Sequence, residues 1–516
     1  MVSKQIENGA EMSDRTARVL FVVILTVAAA VRLYGLGGKV MFGDDALTHW
    51  FALMPAGKVI AAAAGERTPP LSHLLAHYWL AFAPRYSEFW LRLPFAVINL
   101  LAMFPLYGLG RAIGGRRAAL AACLMFALSP LAIAMAQTAR YPSIEIFLTL
   151  SSLYYLERYS RRGAVADLAL FIAALAAGFY THYFMLMFAA SMFLGVVVSM
   201  RGRRRILAIA GVAAAFVVFA PWFSRFASRA AGEVGFRGLA AVAAYLKTMP
   251  FFAAPHVFEQ YLAGGCGFES AAAALLVLLA VGVAALLVSF IFGMKGEPAK
   301  WLLIVVTILP PVAAWALKIA VDFPLVTFPQ FSSNIAPLFF LCLAIGWSRL
   351  GGVYRLAAAV AILAPVIFAL VFHFTTLGFE NNTADAMRLL NEKKEKGDVV
   401  VLVPPECAPI VHFYGPRDVP SFGVTANLDP LQYNAVARAM RPPFDAAYID
   451  TFTRRISSYK RAWVLWCGGV TAQPDPRHEL LDFMDANYKS PLQKLFIFNA
   501  GQREPGALLK LYELRK

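Results

Sequence analysis

For most of its length the chain alternates long apolar blocks with short polar connections, and near its C-terminal end it changes to shorter apolar runs of strand length. The blocks are roughly 17–25 residues long, enough to cross a hydrocarbon core of about 30 Å as a helix. They predict about eleven spans, near 18–34, 89–110, 118–137, 142–157, 164–181, 183–200, 206–223, 270–293, 301–320, 333–348 and 356–376. The fourth is short enough to be tilted or partly re-entrant. Almost no charge is expected deep in any of them, and no internal repeat is visible.

Every second connection is basic. Arg111, Arg116 and Arg117 follow the second block, Arg158, Arg161 and Arg162 the fourth, and Arg201, Arg203, Arg204 and Arg205 the sixth. Lys295 and Lys300 follow the eighth, and Arg349 and Arg355 the tenth. Short Lys/Arg-rich loops stay in the cytoplasm, so these connections and the N-terminus are expected inside. An odd number of spans then puts the C-terminus outside. The remaining connections include two long ones, about 35–88 and 224–269, lengths that suit substrate handling. In the first, ALTHWFALMPAGKVIAAAAG and PPLSHLLAHYWLAF are too interrupted to span and read as helices along the membrane surface.

Beyond about 379 the pattern predicts a small α/β domain, 379–516, after a membrane domain of 1–378. TADAMRLLNEKKEKG and PRHELLDFMDANY read as helices, and DVVVLV, RAWVLW, PLQKLFIF and ALLKLYEL as strands of a partly parallel sheet. The expected fold is thus a polytopic α-helical membrane protein with a small C-terminal α/β extracytoplasmic domain.

Composition agrees: 59% of residues are hydrophobic and 15% charged, with a mean hydropathy of +0.62, too apolar for a soluble chain. The formal charge of +16 sits largely in the basic loops, so topology accounts for it before nucleic acid does. The N-terminal stretch carries acidic residues and no clear cleavage site, and reads as leading into an uncleaved first span. Cys123 and Cys342 fall in apolar blocks, while Cys407 and Cys467 each follow a predicted strand and could pair if the strands are neighbours. No metal-ligand spacing appears.

The candidate chemistry lies at the outside ends. Phe42-Gly43-Asp44-Asp45-Ala46-Leu47-Thr48-His49-Trp50 puts two carboxylates at a membrane boundary, where one can serve as a general base. Equally, either can cap the helix that starts at Ala46. Gln137-Thr138-Ala139-Arg140-Tyr141-Pro142 and Thr181-His182-Tyr183-Phe184 join later spans on the same expected face. Arg140 can clamp phosphate or snorkel; His182 can act on substrate or sit hydrogen-bonded at the interface. Tyr141 and Tyr183 can contact substrate or belong to an aromatic belt. Arg67, before Pro69-Pro70, can be a second phosphate contact or an exposed loop residue, and His49 joins the candidate substrate contacts. Lys318 and Asp322 read most simply as an ion pair, with Asn334 a weaker candidate.

An ordered set of these pieces resembles the protein-O-mannosyltransferase superfamily of C-type membrane glycosyltransferases, which includes the lipid A aminoarabinose transferases. The pieces are Arg32, Asp44-Asp45, Pro69-Pro70-Leu71, Ser87-Glu88-Phe89-Trp90-Leu91-Arg92-Leu93-Pro94, Leu128-Ser129-Pro130, Gln137-Thr138-Ala139-Arg140-Tyr141 and the Thr181–Phe184 hairpin. The resemblance implies transfer of a sugar from a polyprenyl-phosphate donor to a hydroxyl of a lipid, glycan or protein on the far side of a plasma (inner) membrane. It places Asp44 as the base, with Asp45 where the family usually has Glu. Departure of the phosphate with inversion would fall to Arg140, with Arg67 and His182. This chemistry needs neither metal nor cofactor, and the partners it implies are the donor lipid, the acceptor and membrane lipid. A transporter or flippase, and a metal-dependent transferase using a pyrophosphate donor, are the competing readings.

Overall fold

A computed structural model describes residues 12–38, 41, 43–66, 68–233, 269–321, 333–376, 382–403, 407–423, 446–467, 479–497 and 505–514. Arg67, Asp322, the side chain of Lys318 and most of the long 224–269 connection lie outside the described residues. The helices run, in chain order, α1 Asp14–Leu33, α2 Gly43–Ala52, α3 Ala56–Gly65, α4 Leu71–Trp79, α5 Glu88–Leu101, α6 Met103–Leu128, α7 Pro130–Ala136 and α8 Pro142–Arg162. They continue as α9 Val165–Phe179, α10 Phe184–Ser199, α11 Gly202–Glu233, α12 Glu269–Gly293, α13 Pro298–Val321, α14 Ala336–Arg349 and α15 Gly352–Thr376. The C-terminal part holds α16 Asn382–Lys393, β1 Asp398–Val403, α17 Ala408–Tyr414, β2 Ser421–Gly423, α18 Ala446–Ile456, β3 Arg461–Cys467, α19 Glu479–Asn487, β4 Lys489–Ile497 and β5 Pro505–Glu513.

The chain divides into two compact units, one of 1–34 with 95–375 and one of 35–94 with 376–516. In the first unit, local chemistry sets the helix ends. Ser13 caps α1 by accepting from the Thr16 N–H at 3.0 Å, and Ser129 caps α7 with Pro130 in its first turn. Gly115, at φ 82°, breaks α6 where the sequence expects the first basic connection, and Gly163, at φ 71°, ends α8. A Cβ at Gly346 on α14 would run into the Leu286 carbonyl of α12, so glycine permits that close approach.

Among the described residues, four helical stretches are long and apolar enough to cross a membrane: Asp14–Leu33, Glu88–Leu128, Gly202–Arg225 and Gly352–Val371. The stretches Val165–Phe179, Phe184–Ser199, Val277–Gly293 and Pro298–Ala314 are apolar but shorter. Arg32 is fully buried near the end of α1, yet its guanidinium is satisfied by Asn99 Oδ1 at 2.8 Å and by the carbonyls of Phe126 and Ala127, both at 3.0 Å. That is the condition under which an apolar unit tolerates a cation.

In the second unit a five-stranded sheet has the order β2-β1-β3-β5-β4. β1 pairs parallel with β2 and β3, and β5 pairs antiparallel with β3 and β4, which is the partly parallel sheet expected. Every residue of β1 is buried, as the apolar run that follows Asp398 requires. Asp398, at the start of β1, accepts from Arg461 at 2.8 and 2.7 Å, Trp463 at 2.8 Å and the Glu395 N–H at 2.9 Å. Burial alone would raise its carboxyl; these donors outweigh that and hold it below the ordinary carboxylate range.

Candidate functional site

The adjacent carboxylates lie in the first turn of α2, where the exposed N–H groups of a helix start favour negative charge. Their surroundings differ. Asp45 is 2% exposed and accepts from Arg92 Nε at 2.9 Å and Nη2 at 2.8 Å. Arg92 also donates from Nη1 to the Leu36 carbonyl at 3.0 Å, so one buried guanidinium ties α5, α2 and the chain before α2 together. Asp44, one residue earlier, is partly exposed. The sequence offered base or cap for either residue; the geometry gives Asp45 a buried ion pair and leaves Asp44 with access to solvent.

The rest of α2 is not a free surface helix. Leu47, Trp50 and Phe51 enter one core with Met387 and Leu390 of α16, Val400 and Leu402 of β1, Val411 of α17 and Trp463 of β3. The helix bearing the acidic pair is therefore seated in the core of the α/β sheet. Tyr414, at the end of α17, donates to Glu88 at 2.8 Å and accepts from the Met41 N–H at 3.1 Å, close before α2. His49 is enclosed: Nε2 donates to the Arg85 carbonyl at 2.7 Å, and the ring meets Tyr86 and Phe413 edge-on. Burial pushes the His49 imidazole down to about 4, and the nearby His412 and Arg417 act in the same direction. Those contacts are packing contacts.

In the other unit, Arg140 and Tyr141 are buried at the start of α8 and His182 and Tyr183 just before α10. The rings of Tyr141 and His182 stack in parallel, with centroids 4.1 Å apart. The Tyr183 hydroxyl accepts from Trp222 Nε1 at 3.1 Å. Gln137 Nε2 donates to the carbonyls of Arg32 and Tyr34 at 3.1 and 2.9 Å, which fixes the turn before Arg140 to the end of α1.

One buried carboxylate was not among the candidates that the sequence singled out. Glu145, in the first turn of α8, is wholly buried, with Oε1 3.5 Å from His182 Nδ1. Thr149, one turn further, accepts from Asn334 Nδ2 at 3.0 Å. The signal was present: Tyr141, Glu145 and Thr149 recur every fourth residue and so share one helix face. An isolated polar residue in an apolar block passes a hydropathy average unnoticed. Among the described residues no three of His, Cys, Asp and Glu converge in a way that could hold a metal ion.

Residues 67–224 match the family described as dolichyl-phosphate-mannose-protein mannosyltransferase. In structure the chain is similar to ArnT from Cupriavidus metallidurans in the apo state, with a TM-score of 0.61, 14% identity, and 97% of this chain and 98% of that one covered. The chain has the C-type glycosyltransferase fold. ArnT bound to undecaprenyl phosphate gives a TM-score of 0.59 at 14% identity, covering 95% and 97% of the two chains. The Archaeoglobus fulgidus oligosaccharyltransferase tethered to an acceptor peptide gives 0.55 at 12% identity, covering 87% and 69%. No curated protein sequence matches significantly. The resemblance to the protein-O-mannosyltransferase superfamily is supported over residues 67–224 by that family match, and the four long apolar helices agree with a chain that crosses a membrane more than once. The family match includes Arg140, Tyr141, His182 and Tyr183 but begins after Asp44 and Asp45.

Proposed function

We propose that the protein transfers a sugar from a polyprenyl-phosphate donor to a hydroxyl-bearing acceptor on the non-cytoplasmic face of the plasma membrane, with inversion at the anomeric carbon. The fold and the family match support the donor class: ArnT has been solved with undecaprenyl phosphate and the archaeal transferase with dolichol phosphate. The observation that carries the residue assignment is the asymmetry of the acidic pair, with Asp45 held by Arg92 and Asp44 partly exposed at the start of α2.

In this reading Asp44 accepts the proton of the acceptor hydroxyl as that oxygen forms its bond to the anomeric carbon. The bond from that carbon to the phosphate oxygen breaks on the opposite face, and the electron pair leaves with the phosphate. Arg140 stabilises the charge that develops there, with Arg67 and His182 assisting. Asp45 orients α2 through Arg92 rather than taking a proton, and His49 packs rather than binding substrate. The N-terminus lies in the cytoplasm and the sheet-bearing domain, from about 379, outside.

A transporter would draw on ionisable groups in mid-span, whereas Glu145 stands in the first turn of its helix. The deciding experiment incubates the purified protein in vesicles with a labelled polyprenyl-phosphate sugar and a hydroxyl acceptor. The proposal expects a new glycoside of inverted configuration and free polyprenyl phosphate. Movement of the intact donor lipid across the bilayer without a new glycoside would overturn it.

A further inference from the structure

We propose that Glu145 and Asn334 form a subsite that binds the hydroxyl groups of the donor's sugar, as distinct from its phosphate. The proposal rests on the donor class inferred above and extends it to residues not so far given a role.

The polar stripe of α8 can be inventoried group by group. The Thr149 hydroxyl donates to the Met185 sulfur at 3.2 Å and accepts from Asn334 Nδ2 at 3.0 Å. Asn334 Nδ2 also approaches the Met185 sulfur, at 3.6 Å. The donors of Thr149 and Asn334 are thereby engaged within the cluster. On Glu145 and Asn334 what remain are carbonyl and carboxyl oxygens. Asn334 Oδ1 has no hydrogen-bond partner, Glu145 Oε2 has none, and Glu145 Oε1 faces His182 Nδ1 at 3.5 Å, the outer edge of hydrogen-bond length. Glu145, Thr149 and Asn334 are all fully buried.

An unsatisfied acceptor is costly wherever water is excluded, and lipid chains bring no donors. A ligand that relieves the cost must itself supply N–H or O–H groups. Of the three parts of a polyprenyl-phosphate sugar, the isoprenoid has no donors and an ionised phosphodiester presents acceptors alone. The sugar ring carries several hydroxyls, each able to donate. Glu145 and Asn334 would each accept from a hydroxyl of the ring through a side-chain oxygen. Glu145 stands five residues after Arg140, the proposed phosphate contact, and one helical turn after Tyr141, so the helix start can serve both parts of one headgroup.

The test measures equilibrium binding of two lipids to the full chain in nanodiscs, a polyprenyl-phosphate sugar and the same polyprenyl phosphate without sugar. The wild type is expected to prefer the sugar-bearing lipid. Glu145→Gln and Asn334→Leu should each weaken the sugar-bearing lipid about tenfold or more and the bare lipid less than about twofold. Retained binding of the bare lipid shows that each variant is folded. An unchanged preference in both variants, with the bare lipid bound normally, would overturn the subsite while leaving the donor class standing. A wild type that binds neither lipid would overturn the donor class and the subsite together.

Discussion

Arg92 reaches one carboxylate oxygen of Asp45 through two nitrogens, Nε at 2.9 Å and Nη2 at 2.8 Å, with both side chains 2% exposed. Removing one partner of a buried pair strands the other charge, at a cost of about 3–5 kcal/mol. Arg92→Ala and Asp45→Asn are therefore expected to lower the thermal unfolding midpoint of the detergent-solubilised protein by several degrees. Arg92→Lys should rescue little, because a single ammonium cannot also hold the Leu36 carbonyl with the same fork geometry. An unshifted midpoint in both partners' variants would show that the pair does not hold α2.

Phe51 is fully exchanged from solvent into the core that α2 shares with α16, α17, β1 and β3. Phe51→Ala is expected to destabilise that unit by about 3–5 kcal/mol. Because the core is common, limited proteolysis of the variant should open the sheet as well as the first-loop helices. Cleavage confined to the first loop would contradict a shared core.

His49 gives the same unit a pH dependence. Its folded value of about 4 lies below the ordinary value of 6.5, first through burial and then through His412 and Arg417. Between those values the unfolded chain binds a proton that the folded one does not, so stability falls as pH drops from 6.5 towards 4. His412 is lowered too, by burial and Arg417, and adds the same sign. Asp398 acts further down: its depressed carboxyl contributes stability that is lost as pH falls below its unfolded value of 3.8. His49→Gln should reduce the slope of the unfolding midpoint between pH 6.5 and 4 and leave the steeper loss below it. An identical slope in that variant would remove His49 as its source.

Cys407 is disulfide-bonded. It precedes α17, and β1 runs parallel to β3 with Val403 opposite Trp466, one residue before Cys467. Peptide mapping without reduction is expected to recover a Cys407–Cys467 cross-link. Recovery of Cys407 in a cross-link that lacks Cys467 would rule that pairing out.

The strands of the sheet were legible because each is a short apolar run bounded by polar residues, as in DVVVLV and RAWVLW. β2 was not, since three residues carry no period. The acidic pair and the Tyr141–His182 neighbourhood could be singled out from helix ends alone, because topology gathers ends without needing contacts. The seating of α2 could not: Phe51 and Trp463 belong to one core though some four hundred residues of sequence separate them, and nothing in ALTHWFALMP says which apolar surface will cover it. Glu145 was hidden for a different reason, as one carboxylate among apolar neighbours whose significance depends on what faces it.

The role proposed for Asp44 is to take the proton of the acceptor hydroxyl. It is tested by comparing wild type and Asp44→Asn in the transfer assay while measuring donor-lipid binding and membrane insertion in parallel. The account predicts normal insertion and donor binding with transfer reduced by about 10²–10⁴-fold, the usual contribution of a general base. Near-normal transfer by Asp44→Asn would contradict it.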